Sequence, residues 1–163
     1  MKFLDQFNNI KNVRFESFEK TLKLSYERGL KTLVETGTAR GKTKFFFIKK
    51  YNWKDGMSTP MFAEYAKFIN GTLHTCDISE ENINNAKKFT NNLSDYINFY
   101  VQDSLIFLRE FNYQIDLLYL DSLDSHDPIA ASNHQLKEAK MSIKKLHDNS
   151  LILLDDKGSK TNL

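Results

Sequence analysis

The sequence predicts a doubly wound α/β domain built on a parallel sheet. Five short apolar runs alternate with stretches of helical periodicity, a pattern that places helices on both faces of such a sheet. The fourth run, Ile115-Asp-Leu-Leu-Tyr-Leu120, is almost continuously apolar, the mark of a strand buried on both faces. At 163 residues, 40% hydrophobic and 13% aromatic, the chain suits one domain whose core needs no covalent staple.

Residues 1–29 read as an N-terminal helical segment ahead of the domain proper at 30–163. Phe3, Leu4, Phe7, Ile10, Phe15, Phe18, Leu22 and Tyr26 recur at spacings that suit one or two amphipathic helices, ended by Arg28-Gly29. Lys31–Thr36 reads as strand one, Gly37-Thr-Ala-Arg-Gly41 as a turn, and Lys42–Lys50 as a helix turning Phe45, Phe46 and Phe47 toward the core. A polar loop carrying Trp53 follows, and Thr59-Pro60 opens a helix that Asn70-Gly71 closes. Thr72–Cys76 is strand two. Ser79 caps a helix with Ile83, Ala86, Phe89 and Leu93 on its stripe. Tyr96–Val101 is strand three, Asp103–Phe111 a short helix, and 115–120 strand four. Asp127-Pro128 starts a long helix with Ile129, Leu136, Ala139, Ile143 and Leu146 on one stripe, and Ser150–Leu154 is strand five.

Composition excludes several classes. Lys and Arg number 23 against 21 Asp and Glu, and a net charge of +2 gives no argument for nucleic acid as the main partner. A single cysteine, Cys76, forbids an intrachain disulfide and fits a reducing, cytoplasmic compartment. No apolar run approaches the roughly 18 residues of a membrane span, and Met1–Gln6 has no signal-peptide core.

In doubly wound sheets the ligand sits beyond the carboxyl ends of the strands. Here each strand delivers an acid to that edge: Glu35, Asp77, Asp103, Asp121 and the Asp155-Asp156 pair. Any one of these suits a helix cap or turn; five together point to a site. Gly37 and Gly41 allow a tight turn at which backbone N–H groups meet an anionic group. Asp77 is placed for both hydroxyls of a ribose. Asp103, between Gln102 and Ser104, suits an adenine amino group. So many acids without a P-loop lysine disfavour ATP. The dinucleotide fingerprint needs G-x-G-x-x-G and an acid about 20 residues on. Here Thr38 and Ala39 occupy the middle of the turn and an extra helix separates Gly37 from Asp77, so the glycine signal alone is weak; its combination with Asp103 and Asp121 favours S-adenosylmethionine over NAD.

The segments Val34-Glu-Thr-Gly-Thr-Ala-Arg-Gly41, His74-Thr-Cys-Asp-Ile78, Val101-Gln-Asp-Ser104, Ile115–Asp121 and Leu151-Ile-Leu-Leu-Asp-Asp156 resemble, in order and spacing, the successive motifs of the class I S-adenosylmethionine-dependent methyltransferases. The resemblance implies a Rossmann-like sheet of strand order 3-2-1-4-5. It implies that Gly37, Thr38 and Gly41 flank the methionine end of the cofactor, with Glu35 holding that region directly or through water. Asp77 would bind the ribose, Ile78 would pack on adenine, and Asp103, with Ser104 beside it, would bind the adenine amino group. Asp121 would lie near the methionine amino group and the reacting centre.

The loop Asp121-Ser-Leu-Asp-Ser-His126 resembles an Asp-Gly-x-His stretch of a small-molecule branch, with Ser122 for the glycine. That makes a small molecule the expected acceptor, methylated on oxygen or nitrogen, and His126 the candidate base. Some members hold Mg²⁺ with acids after strands four and five, so Asp121, Asp155 and Asp156 are candidate ligands; the Asn frequent in that set is missing, and a metal is not favoured. The family usually adds an antiparallel pair of strands after strand five. Here nine residues follow it, which leaves strand five as an edge and predicts a homo-oligomer, most simply a dimer. The competing readings are a non-catalytic S-adenosylmethionine-binding module or truncated methyltransferase, and an NAD-dependent oxidoreductase. Of the other tempting residues, His74 and Cys76 read as packing, His134 as surface, His147 as a cation in a helix's last turn, and Trp53 as either a cover for the site or packing.

Overall fold

The computed structural model describes residues 1–40, 42–45, 48–51, 53, 57–123 and 127–155. Its centre is a parallel sheet of β1 (Thr32–Thr36), β4 (Thr72–Asp77), β5 (Ile97–Val101), β6 (Leu117–Leu120) and β7 (Leu151–Leu154), ordered β5-β4-β1-β6-β7. That is 3-2-1-4-5 among the sheet strands, as expected. The chain steps outward from β1 to β4 and β5, then crosses back to place β6 on the other side of β1. The reversal opens a crevice at the carboxyl ends of β1, β4 and β6.

Alternation along the strands divides the core between the two faces. On one face Leu33, Leu73, Leu117 and Tyr119 pack with Met61, Phe62 and Tyr65 of α2 (Ser58–Ile69) and Phe15, Phe18 and Leu22 of α1 (Phe15–Glu27). Phe18, Phe62 and Tyr119 form a triad of edge-on rings with centroids 5.3–5.5 Å apart. Truncating one of these buried rings costs about 3–5 kcal/mol. Leu4 and Phe7, from a 3-10 turn at Lys2–Phe7, join the same cluster, so the N-terminal segment shares the sheet's core. On the other face Val34, Cys76, Leu118 and Leu120 meet Phe107, Leu108 and Phe111 at α4 (Ser104–Glu110). Ser79, Asp103 and Asp127 cap α3 (Glu80–Phe89), α4 and α5 (Pro128–Ser142) by accepting first-turn N–H bonds.

Two expectations fail. Residues 42–50 do not form a helix: Lys42–Phe45 (β2) and Ile48–Tyr51 (β3) pair antiparallel, with Lys44 opposite Lys49. Thr43, Phe45, Ile48 and Tyr51 are residues that favour strands, and no tertiary periodicity overrides them. Phe46 lies with Phe47 outside the described residues. The second fails in part: of the stripe expected on α5, Ala139 and Leu146 pack on the core, but the other three residues face outward. Ile129, Leu136 and Ile143 are 73%, 51% and 62% exposed, whereas Glu138 and Ser142 are fully buried. This helix turns a polar face inward because it closes on hydroxyl groups of the crevice.

Candidate functional site

The crevice begins at the turn after β1. Gly37 has φ of 84°, and its N–H donates to the Cys76 carbonyl (2.8 Å). A Cβ there would lie 2.0 Å from the Asp121 carbonyl oxygen, so only glycine lets the β1 turn and the end of β6 come together. The next residues are wired to the sheet by hydroxyls. Thr38 N–H donates to Asp77 Oδ2 (3.2 Å), and Ala39 N–H to Thr59 Oγ1 (2.8 Å). Thr59 and Thr75 both donate to Glu35 Oε2 (2.8 and 2.7 Å). Glu35 is fully buried. It does not line the crevice but holds the turn from behind, through Thr59. Burial pushes its carboxyl up to about 7, against the lowering effect of the Ser58, Thr75 and Thr59 hydroxyls.

Asp77, at the end of β4, is fixed by three donors. Ser79 N–H reaches Oδ1 (2.8 Å), and Thr38 N–H and the Asn82 amide reach Oδ2 (3.2 and 3.1 Å). Ile78 follows it 75% exposed, an apolar side chain on the rim. Asp103 Oδ1 accepts from Leu105 and Ile106 N–H (3.0 and 3.1 Å), which spends one oxygen on the cap of α4.

Asp121 closes the crevice after β6. The Tyr119 hydroxyl donates to its Oδ2 (3.1 Å). Its carboxyl is held well above the usual range, first by burial and then by Asp155, with Arg14 opposing. Arg14, just before α1, grips Asp155 with two parallel bonds, Nε to Oδ1 (2.5 Å) and Nη2 to Oδ2 (2.6 Å). Both Asp155 oxygens thus face a guanidinium, an arrangement that competes with any cation. Among the described residues no group of three His, Cys, Asp or Glu is placed to hold a metal.

Two adjoining cavities make up the crevice. The larger, about 500 Å³, is walled by Arg14, Thr38, Arg40, Asn82 and Asp121. The smaller, about 140 Å³, is walled by Gln102, Asp103, Ser104, Leu123 and His134. Gly37, Asp77, Ile78 and Ser122 belong to both, so the two are one cleft. One end offers charged groups of both signs, the middle a fixed carboxylate, and the far end an apolar rim with a second carboxylate. Of the expected residues, Gly37, Thr38, Asp77, Ile78, Asp103, Ser104 and Asp121 line it. Gly41, His126 and Asp156 lie outside the described residues.

The other expectations divide. His74 is packing: it stacks on Tyr100, its Nδ1 lies 3.0 Å from the Tyr100 hydroxyl, and burial lowers its pKa to about 4. Cys76 is buried, and burial pushes its thiol up. His147 lies beyond α5, not in its last turn, and pairs with Asp116 (2.8 Å) at the opposite end of the sheet. Trp53 lines a separate cavity with Phe7, Met57 and Leu93, away from the cleft. His134 is not a surface residue: its ring is 22% exposed and lines the smaller cavity. Arg40 sits within the glycine turn but is not singled out there; Arg14, Asn82 and Glu138 carried no sequence signal, Asn82 sitting at the third position of a capped helix and the other two depending on long-range packing.

A parallel sheet of this order, with a glycine turn at the switch point, an acid after the neighbouring strand and another across the turn, is a Rossmann-like domain. A family model for the methyltransferase domain matches residues 34–157. The chain belongs to the class I S-adenosylmethionine-dependent methyltransferase family. None of the curated proteins matches it. Among solved structures it is similar to the S-adenosylhomocysteine-bound methyltransferase PaMTH1 of Podospora anserina, at 15% identity and a TM-score of 0.61, over 82% of this chain and 49% of that one. It is also similar to an rRNA methylase from Streptococcus thermophilus (13%, TM-score 0.53, 85% and 70% covered). A third likeness is to coclaurine N-methyltransferase bound to N-methylheliamine and S-adenosylhomocysteine (14%, TM-score 0.53, 83% and 34% covered). At these identities the likeness is one of fold. The chain spans about half the length of the Podospora protein.

Proposed function

We propose that the cleft binds S-adenosylmethionine and that the protein passes its methyl group to an oxygen or nitrogen of a small-molecule acceptor. The observation that carries this reading is the shared wall of the two cavities, with Asp77 at the junction. A carboxylate already fixed by Ser79, Thr38 and Asn82 loses little freedom when it accepts two ribose hydroxyls. Exposed Ile78 then covers the base, and Asp103 accepts from its amino group. The charged amino-acid tail falls among Arg14, Arg40 and Asp121.

The bound sulfonium supplies an already activated methyl group. The chain's own task is to align the acceptor and take a proton. Asp121 orients charge at the reacting end, and we assign proton removal to His126. The solved relatives include an rRNA methylase and a coclaurine N-methyltransferase, so the acceptor class rests on the resemblance of the Asp121–His126 loop.

Two partner readings complete the proposal. Among the described residues β7 pairs with β6 and lies at the edge of the sheet, and Ile152 on it is 46% exposed. These features support a dimer through that edge. No described helix is long and apolar enough to cross a membrane, and the lone reduced Cys76 supports a cytoplasmic setting.

The test is calorimetric titration with S-adenosylhomocysteine and with NAD(H), then transfer of labelled methyl to a panel of phenols, catechols and amines. Binding with transfer supports the reading. Binding without any transfer favours a cofactor-binding module, and preference for NAD(H) overturns it.

A further inference from the structure

We infer that His134 is a specificity-determining residue of the cleft: it reads the exocyclic amino group of the adenine base. The inference rests on the cofactor reading above and adds a residue to it.

Ser122 Oγ donates to Glu138 Oε1 (2.6 Å), and Ser104 Oγ donates to Ser122 Oγ (3.3 Å). Ser104 has then used its one hydrogen. His134 Nε2 lies 3.1 Å from the same Ser104 oxygen and 3.6 Å from Glu138 Oε1. With that hydrogen directed at Ser122, Ser104 meets Nε2 as an acceptor, and the ring hydrogen is placed on Nε2. In the neutral ring Nδ1 is then the bare acceptor. It has no partner among the described residues. Glu138, fully buried, is the acceptor in which the chain of donors ends, and the chain ties α5 to the loop after β6 and to the first residue of α4.

His134 shares the smaller cavity with Ile78 and Asp103, the residues assigned to the base. An adenine amino group has two hydrogens. Asp103 takes one and His134 Nδ1 the other. A 6-oxo purine presents an acceptor at that position and would set an oxygen against two acceptors, a mismatch that a site built for hydrogen bonding rejects strongly.

Two measurements test this. The first compares affinity for S-adenosylhomocysteine and S-inosylhomocysteine by calorimetry, in the parent, His134→Phe and His134→Gln. The parent should prefer the adenosyl compound. His134→Phe keeps a ring but no acceptor, and should lose about tenfold of that preference, the worth of one buried hydrogen bond. His134→Gln, which regains an acceptor, should recover part of it. A purely structural role would weaken both ligands alike. The second records long-range proton–nitrogen NMR correlations of His134 in the parent, with the ring neutral, and should show the hydrogen on Nε2. An unchanged preference in His134→Phe, or a hydrogen on Nδ1, overturns the inference while leaving the cofactor reading intact. A parent that binds neither compound removes the cofactor reading itself, and the inference with it.

Discussion

Arg14 and Asp155, 141 positions apart, meet fork to fork at the edge of the cleft, with bonds of 2.5 and 2.6 Å. The pair ties the segment before α1 to the residue after β7, and so fastens the two ends of the described chain across the carboxyl edge of the sheet. Asp155 is 7% exposed and has Asp121 beside it. Removing the guanidinium would leave two acids together in a partly dry place. Arg14→Ala should therefore destabilise the fold by about 3 kcal/mol, and Arg14→Lys, which keeps charge but not the fork, by roughly half of that. Urea denaturation measures both. An Arg14→Ala protein as stable as the parent would show that the pair is ornamental.

Glu35 makes stability depend on pH. Its folded carboxyl titrates at about 7 against an ordinary 4.5, so the folded state binds the proton more tightly. The contribution is complete below pH 4.5 and is lost as pH rises through 7. Over that window it amounts to about 3 kcal/mol. Glu35→Gln, which can still accept from Thr59 and Thr75, should flatten the corresponding part of a curve of melting temperature against pH. A curve identical to the parent's would contradict the buried, protonated carboxyl.

Gly37→Ala should fail in two ways. A positive φ costs about 1–2 kcal/mol for an L side chain, and the added Cβ would press on the Asp121 carbonyl, 2.0 Å away. The variant should melt lower than the parent and bind S-adenosylhomocysteine weakly. Normal melting and normal binding together would mean that the turn is wrongly placed.

Much of this was legible beforehand. Asp77, Asp103 and Asp121 announce themselves because an acid after an apolar run serves both a helix cap and a ligand, and its position follows from the strand alone. All but one of the failures share a cause, which is tertiary context. Of the α5 stripe only Ala139 and Leu146 pack on the core, because Ser122 holds Glu138 inward on the same helix. The same contact brings His134 to the cleft, and no local spacing reports it. Arg14 pairs with a residue at the far end of the chain, a relation that periodicity cannot encode. Residues 42–50 carry both a helical spacing and strand-favouring residues, and the local preference prevailed.

The sheet edge predicts assembly. Among the described residues β7 pairs with β6 alone, at the end of the strand order, and exposes Ile152. Light scattering should give a dimer mass, and Ile152→Lys should shift it toward monomer. A monodisperse monomer at high concentration would remove the reading.

The account stands or falls on Asp77. Calorimetric titration of S-adenosylhomocysteine into the parent and Asp77→Ala examines it most directly. The parent should bind at one site, with no comparable heat from NAD(H). Each hydrogen bond lost to a charged acceptor is worth about 1.5–3 kcal/mol, so Asp77→Ala should bind at least tenfold more weakly. Equal affinity in the two proteins, or tighter binding of NAD(H) by the parent, would contradict the claim that this cleft is built for S-adenosylmethionine.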